Sequence, residues 1–334
     1  MDDDRPDATH SRLRPVLDQV GQLRRRMTGP GTLGGDLLSV VEAHLTSTDP
    51  EEPPERTRRQ RARLIAKWSM VAVLVVVLLF ELSIVSLSWW AFPRTAFMLE
   101  DSGPVVYQYV SIDHVSRLMI AATIAHEDQQ LGSRNGPFAI SDFGDRIGAH
   151  LRGEPDPSGS TIPQQLAKNI YLWPHQDALR KGFEALLSVG VSATLSDRRV
   201  VELYLNYAQF GPNLYGVCTA SWYYFGEPPW NMAQIQADQL MGVLPLPDLV
   251  SRAKGGGLDI GPDADPRAVD LINGEANVHV PAEIAGMGGW QQAVATIGIH
   301  DTAADHAAQR SDPDACSTMP QAVAARIANE QSAE

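Results

Sequence analysis

Apolar positions along this chain form one long continuous run and several shorter helical stripes. The run, residues 68–92, is interrupted only by Glu81 and a few serines, and it is long enough to cross a bilayer as a helix. Six Arg or Lys side chains precede it between residues 56 and 67, and Trp89 and Trp90 lie near its far end. The positive-inside rule therefore predicts a single-pass anchor with a cytoplasmic N-terminus. A cleaved signal peptide is disfavoured, because a long charged segment comes first.

Beyond the run, apolar residues recur at helical spacing from Val115 to Asn206. One stripe, beginning at Val115, leads up to Glu127, and a second occupies residues 178–195. Ser196 is a candidate cap for a further helix. No sustained alternation with a period of two residues interrupts these stripes, so the pattern predicts a mostly α globular domain.

Residues 159–169 read as a loop that turns into a helix. Thr161 and Gln164 have the spacing of a capping box, and Pro163 falls in the first turn, where its missing N–H costs little. The apolar stripe leaves Gln164, Gln165 and Lys168 largely on other faces of this helix. Its N-terminus gathers free N–H groups near positive charge, which suits an anionic ligand. Taken alone, the pattern is equally typical of a plain helix cap.

The two ends of the chain differ from the middle in composition. Residues 1–67 are rich in Asp, Pro, Thr and Arg and are interpreted as a largely flexible cytoplasmic tail, with a docking site for a cytoplasmic partner as the alternative. Apolar density falls again after Pro247. The predicted organisation is therefore the tail, an anchor at 68–92, a catalytic domain at 93–250, and a C-terminal extension at 251–334 packed on that domain.

Charge and cysteine content narrow the functional classes. The formal net charge of the 334 residues is −13, which argues against nucleic acid as the main partner. The only two cysteines, Cys218 and Cys316, are too far apart for metal-ligand spacing, so a zinc site is not expected.

Five short motifs occur in an order that is specific to one family. They are Glu127-Asp128 with Gly136; Gly159 to Asn169; Arg180 to Ala185; Val201 to Asn206 followed by Phe210-Gly211; and Tyr224 to Gly226 with Leu240 to Pro247. Over residues 93–248 the chain resembles the peptidoglycan glycosyltransferases of family 51. The entry, Pro93 to Met98, resembles the monofunctional biosynthetic transglycosylases of that family.

The resemblance implies a fold, a reaction and a place in the cell. The fold has two helical lobes reminiscent of lysozyme. The reaction polymerises lipid II, with release of undecaprenyl pyrophosphate, into β-1,4-linked glycan strands. It implies attachment to the bacterial inner membrane, with the catalytic domain in the periplasm. The expected partners are lipid II and the growing strand, and other cell-wall synthesis or division proteins.

The resemblance also assigns roles to residues. Glu127 is the expected general base and Glu184 the second catalytic carboxylate, although the spacing of Glu184 from Arg180 equally fits an ordinary ion pair within a helix. Asp128, Arg134 and Asn206 are expected to support them. For cofactors, one option stays open: a divalent cation, Mg²⁺ or Mn²⁺, at the donor pyrophosphate. Binding of substrate and pyrophosphate is assigned to seven residues: Ser160, Thr161, Gln164, Gln165, Lys168, Arg180 and Lys181.

At several positions the chain departs from the family's pattern, and these departures leave alternative functions open. Leu131 and Arg134 stand where Phe and His are usual, and Gln176 and Tyr223 stand where Arg is common. An inactive scaffold that binds cell-wall synthesis partners is therefore the main alternative function. A lysozyme-like hydrolase is a third, but it explains neither the cationic motifs nor the anchor.

Two further expectations concern single side chains. Cys218 and Cys316 both follow the anchor, in a compartment where disulfides persist, so they are expected to pair and to hold the extension to the domain. Two buried thiols or an intermolecular bridge are the alternatives. Glu81 is expected to contact a polar group of another membrane helix, because an ionisable side chain inside a bilayer is costly; snorkelling is the alternative.

Overall fold

The computed structural model describes residues 58–134, 136–137, 160–173, 178–300 and 316–333. The expectations for the tail at 1–57, for Gly159 and for Gln176 lie outside these residues. The chain divides into two compact units, Met1–Val73 and Leu74–Glu334. Every contact described below lies within the second unit.

The apolar run lies in one helix, α1, Arg58–Ser86. In the described residues it is the one helix long and apolar enough to span a membrane. It starts ten residues before the predicted anchor, because Arg, Gln, Ala and Lys are all good helix formers and extend it upstream. The chain then turns after Ser86, so the two tryptophans follow the helix instead of ending it.

The structure is mostly helical, as predicted. The helices of the predicted catalytic region after α1 are α2 Ala96–Glu100, α3 Arg117–Glu127, α4 Ile162–Tyr171, α5 Ala178–Thr194, α6 Asp197–Tyr207, α7 Val217–Ala220 and α8 Gln234–Val243. Those of the extension are α9 Pro266–Gly274, α10 Val280–Gly286, α11 Trp290–Ala295 and α12 Gln321–Ala333. Wider π-helical turns, Ser221–Phe225 and Glu275–His279, follow α7 and α9.

A small sheet holds the entry to the domain against its later segments. Its strands are β1 Val106–Tyr107, β2 Gln209–Gly211 and β3 Leu214–Tyr215, in the order β1-β3-β2. Strand β1 pairs with β3 in parallel, with Val106 opposite Leu214, and β2 pairs with β3 in antiparallel. Asn206 strengthens the link next to this sheet: its amide group accepts from the Val110 N–H and donates to the Val110 carbonyl, both at 2.8 Å.

Helix α3 lies at the centre of the hydrophobic core. Ser116 caps its start by accepting from the Leu118 N–H at 3.3 Å, and residues from Met119 to Ala125 are fully buried. Helices α8, α10 and α11 all pack against it. Two of these three belong to the C-terminal extension, so the extension completes the core around the helix that ends at Glu127.

The far end of the extension is attached at a second place. Cys218 and Cys316 are joined in a disulfide with a Cα–Cα distance of 5.9 Å, which is the expected pair. The indole N–H of Trp222 donates to the Cys316 carbonyl at 3.0 Å. Helix α12 adds Arg326, which donates to the Pro212 carbonyl at 2.7 Å.

Glu81 has a neighbour within its own chain. A Cβ added to Gly190 of α5 would lie 2.9 Å from one carboxylate oxygen of Glu81 and 2.9 Å from Ile84. Two residues along α1, the Ser83 hydroxyl is hydrogen-bonded to the Tyr171 hydroxyl at 2.9 Å. Glu81 and Ser83 therefore face α5 and α4, whereas the prediction of a partner in another membrane helix stays untested.

Candidate active site

Glu127 is the last residue of α3, and its carboxylate is held by a neighbouring helix. The Gln165 side-chain amide donates to Glu127 Oε2 and also to the Ser160 carbonyl at 2.9 Å. Its oxygen accepts from the Tyr204 hydroxyl at 3.1 Å. With both ends of its amide engaged, Gln165 has one orientation available, and it presents an N–H to the carboxylate.

Burial decides the proton affinity of this carboxylate. It raises the pKa of Glu127 above the ordinary glutamic acid value, because the charged form loses water. The hydrogen bond from Gln165 and the charges of His126 and Lys168 oppose that shift, and Asp128 adds to it. Such a carboxylate accepts a proton more readily than an exposed one, which suits a general base.

Asp128 joins the first motif to the start of α4. One of its oxygens accepts from the Ile162 N–H at 3.1 Å, and the same carboxylate pairs with both terminal nitrogens of Arg134. The Arg134 Nε in turn donates to the Gly136 carbonyl at 2.9 Å. The unusual arginine therefore has a structural partner, and a buried bidentate pair fixes the chain next to Glu127.

The α4 cap confirms the predicted loop-to-helix turn and gives two predicted site residues contacts within the chain. The Gln164 carbonyl oxygen accepts from the Thr161 N–H at 3.1 Å, and the Thr161 hydroxyl donates to the Pro137 carbonyl at 2.9 Å. Gln164 is buried. The part of Thr161 and Gln164 in binding substrate stays a prediction.

Three cations surround one buried carboxylate on α4 and α5. Glu184, 1% exposed, pairs with Lys181 and, at 3.4 Å, with Arg180. Lys181 also donates to the Ser160 hydroxyl at 3.0 Å, which ties α5 to the loop before α4. Glu184 therefore makes the ion pair within its helix and contacts two cations of the third motif, and its catalytic role stays a prediction.

Lys168 is the third cation. Burial lowers its pKa; Glu184 opposes that shift, while the charges of Arg180 and Lys181 add to it and Glu127 opposes it. Its amino group lies 5.6 Å from the centre of the Phe97 ring, over its face. Lys168 is therefore within electrostatic reach of both candidate catalytic carboxylates, and the cluster carries two more positive charges than Glu184 neutralises.

A cavity of about 350 Å³ adjoins this network. Its lining includes Gln165 and Lys168 together with Phe97, Tyr204, Tyr215 and Asp248. Polar groups and aromatic faces converge there, as they do in sites for sugar-containing ligands. The predicted residues of motifs one, two and three thus lie close together. Asn206 lies outside this group, and its side chain is hydrogen-bonded to the backbone of Val110.

Sequence reasoning missed two residues of this site and one beside it. Tyr204 orients Gln165 and Phe97 covers Lys168; both belong to segments already singled out, but nothing in their spacing shows which way the side chains point. The third, His126, immediately precedes Glu127. Its partners lie more than 140 residues away in the extension, and so no local signal could reveal them.

Two residues that differ from the family's pattern, Tyr223 and Leu131, are packed against other parts of the chain. The Tyr223 hydroxyl lies 2.9 and 3.0 Å from the two Glu330 oxygens, and the Arg326 guanidinium lies over the Tyr223 ring at 4.5 Å. Leu131 is buried in the core. Tyr223 thus serves to seat α12, an element beyond the segment that resembles the family.

The residues around Glu184 do not form a metal site on their own. Its carboxylate already pairs with two cations, and within the described parts of the chain no cluster of three His, Cys, Asp or Glu side chains could hold a metal. We therefore derive no step through a divalent cation.

Comparison with known proteins agrees with this geometry. Residues 99–258 match the family model described as Transglycosylase. The chain is 39% identical over 179 residues to a biosynthetic peptidoglycan transglycosylase of Marinomonas sp. (strain MWYL1), covering 52% of this chain and 75% of that protein. The Pasteurella multocida (strain Pm70) protein of the same name is 36% identical, with 51% of this chain and 72% of that protein covered. The Rhizobium johnstonii protein is 32% identical, with 60% of this chain and 82% of that protein covered. This chain belongs to the transglycosylase family and is a glycosyltransferase.

Proposed function

We propose that Glu127 is the general base with which this chain polymerises lipid II into the β-1,4-linked glycan strands of peptidoglycan. The observation that carries this assignment is the half-buried Glu127 carboxylate, held by Gln165 beside a cavity that Gln165 and Lys168 line. The acceptor sugar hydroxyl gives its proton to Glu127 while its oxygen attacks the donor anomeric carbon. The bond to the pyrophosphate breaks, and its electron pair leaves with undecaprenyl pyrophosphate. Attack from the opposite face converts the α-linkage into a β-linkage.

Departure of the pyrophosphate requires stabilisation of negative charge more than it requires a proton. Lys168, Arg180 and Lys181 supply positive charge, and Glu184 keeps two of them in fixed positions. Cations that are already oriented need no reorganisation when charge develops on the leaving group, which lowers the barrier. In this scheme Glu184 acts by holding Arg180 and Lys181.

A lipid-linked substrate fits the apolar surface of this unit. Trp89 and Trp90 are 69% and 70% exposed, and Leu186 and Val189 of α5 are also exposed. Patches of this kind mark contact with lipid or a partner. Together with α1, they support a single-pass protein of the bacterial inner membrane with its catalytic domain in the periplasm. Contacts with other cell-wall synthesis proteins would then involve the same membrane-proximal surface.

The scaffold alternative has no specific support. Glu127 and Glu184 are both present and engaged, and the substituted Arg134 and Tyr223 make contacts of their own.

The test is polymerisation of purified lipid II by Glu127→Gln, with the glycan products separated by size. Loss of a positioned proton acceptor should reduce the rate by roughly 10²–10⁴-fold. Glu100→Gln, an exposed glutamate at the end of α2, is the matched control and should polymerise as wild type. Near wild-type rates in Glu127→Gln would remove Glu127 from the mechanism.

A further inference from the structure

His126 lies between two carboxylates that the C-terminal extension supplies. Its Nδ1 atom is 3.0 Å from Glu283 Oε2 and 3.4 Å from Glu275 Oε2. The three side chains are 19%, 28% and 12% exposed, respectively, so water screens their charges only partly. The matched family segment ends at residue 258; it contains His126 but neither glutamate.

The fold explains why these three groups meet. Glu275 begins the π-helical turn after α9, and Glu283 lies in α10, eight residues later and on the same side of the helical segment. Ala276, Val280 and Ile284 are buried, and α10 packs against α3. The extension is thus seated on the catalytic helix by apolar contacts, and the two carboxylates are brought to the ring as a consequence.

The charged groups that face the ring come from several elements. Two carboxylates lie within 3.4 Å of its Nδ1 atom. Helix α11 brings no titratable side chain, since it reads WQQAVA. Helix α8 brings Asp238, which accepts from Gln234 of its own helix at 2.6 Å. On α6, Arg198 pairs with Asp113 and Arg199 with Glu202, and Asp197 lies within electrostatic reach of Arg134 and Asp128.

Glu127 is the next residue in the chain, and it is the other ionisable group affected. A cation close to a buried carboxylate favours its charged form, and the charge of His126 does lower the pKa of Glu127 against the effect of burial.

We propose that the C-terminal extension, through Glu275 and Glu283, holds the His126 ring in place beside the general base, and that His126 thereby sets the acidic limit of polymerisation. The inference rests on the proposed role of Glu127. His126 is a positioning residue: it acts on the base and makes no contact with substrate. The extension thereby contributes to catalysis, because it positions a residue that acts on the general base.

The experiment is the pH dependence of kcat/KM for lipid II polymerisation by the full-length protein, from about pH 5 to about pH 9, since this parameter reports the free enzyme's essential groups. His126→Gln removes the side chain whose charge lowers the pKa of Glu127, and it should move the midpoint of the acidic limb upward. Activity on the alkaline plateau should change little, because Glu127 is fully charged there in either protein. His126→Lys keeps a positive charge within reach of both glutamates and should return the midpoint to that of wild type.

His279→Gln is the matched control, since His279 is an exposed histidine of the same extension segment, and its profile should coincide with that of wild type. A midpoint unmoved in His126→Gln, or one that stays shifted in His126→Lys, would overturn the inference. Activity that persists in Glu127→Gln would remove the base assignment and this inference together. An unmoved midpoint alongside an inactive Glu127→Gln would remove this inference alone.

Discussion

At the scale of single residues, the requirements of catalysis oppose those of stability at Glu127. Its carboxylate is half-buried at the end of α3, and the loss of water raises its pKa. One hydrogen bond from Gln165 restrains it, and neighbouring positive charges offset part of the cost. A carboxylate arranged in this way is a better proton acceptor because its charged form is less stable in the folded protein than in water.

This opposition predicts how Glu127→Gln affects stability. With a raised pKa, the folded protein binds this proton more tightly than the unfolded chain does. The free energy of unfolding therefore falls as pH rises from about 4.3, the ordinary glutamate value, through the raised value. Gln has no such proton, so the melting temperature of the variant relative to wild type should increase as pH rises through that window.

Thermal melting in matched buffers near pH 5 and near pH 8 measures this difference. Glu100→Gln, which changes an exposed carboxylate, should give a difference that is independent of pH. A Glu127→Gln protein less stable than wild type by a constant amount at both pH values would instead assign Glu127 a structural role.

At the scale of elements, the site depends on where α3 ends and α4 begins. Asp128 ties the two ends together by accepting from the Ile162 N–H. Ile162 and Leu166 anchor α4 in the core with no exposed surface, each contributing about 1.5–3 kcal/mol from burial. The turn that follows α3 also touches the extension, and two glycines in it adopt conformations that L-residues avoid.

Gly132 and Gly136 form a matched pair for testing that contact. Both have positive φ, +82° and +89°, so alanine at either position should cost about 1–2 kcal/mol in conformational strain. At Gly132 the new Cβ would also lie 2.1 Å from the Thr296 carbonyl oxygen, whereas at Gly136 no atom of the described residues lies within 4 Å. Gly132→Ala should therefore lose about a further 1–3 kcal/mol and displace the chain after α11.

Chemical denaturation of both variants would give the two free energies of unfolding. Lipid II polymerisation by Gly132→Ala should fall as well, because the displaced segment adjoins α3. Equal losses of stability for the two substitutions would show that the turn does not rest on Thr296.

At the scale of the whole molecule, the extension is fastened to the domain at both of its ends. Near its start, α10 and α11 pack on α3; near its finish, Cys316 is bonded to Cys218 and α12 is held by Arg326 and Tyr223. A bond that closes a loop of 98 residues removes considerable freedom from the unfolded chain.

Reduction of this bond should destabilise the protein by up to about 4.7 kcal/mol in the chain-entropy model. The melting temperature should fall when a reductant is added to wild type, and it should not respond in the Cys218→Ser, Cys316→Ser double variant. Intact mass after alkylation without reduction provides the independent measurement. Two alkylated thiols in exported protein would contradict the pairing.

Local pattern and chemistry determined much of this protein. Length and continuous apolar composition predicted α1. Helical spacing predicted α3, α4 and α5, because a helix buries one face and its period is visible in the chain. The capping box at Thr161 was predictable for the same reason, since both of its partners lie within four residues. Ordered motifs indicated the family and hence the two glutamates. The pairing of Cys218 with Cys316 followed from the absence of competitors.

Tertiary structure alone decided which way the site residues face. Gln164 and Asn206 carry the same functional group as Gln165, yet they turn inward to satisfy backbone atoms while Gln165 reaches Glu127. Contacts between segments distant in the chain have no period or spacing that a sequence displays. For that reason His126 and its two glutamates, the Tyr223–Arg326 contact and the close approach at Gly132 emerge only from the packed molecule. Packing also placed the extension against the catalytic helix, because only there do its apolar faces find a partner of matching shape.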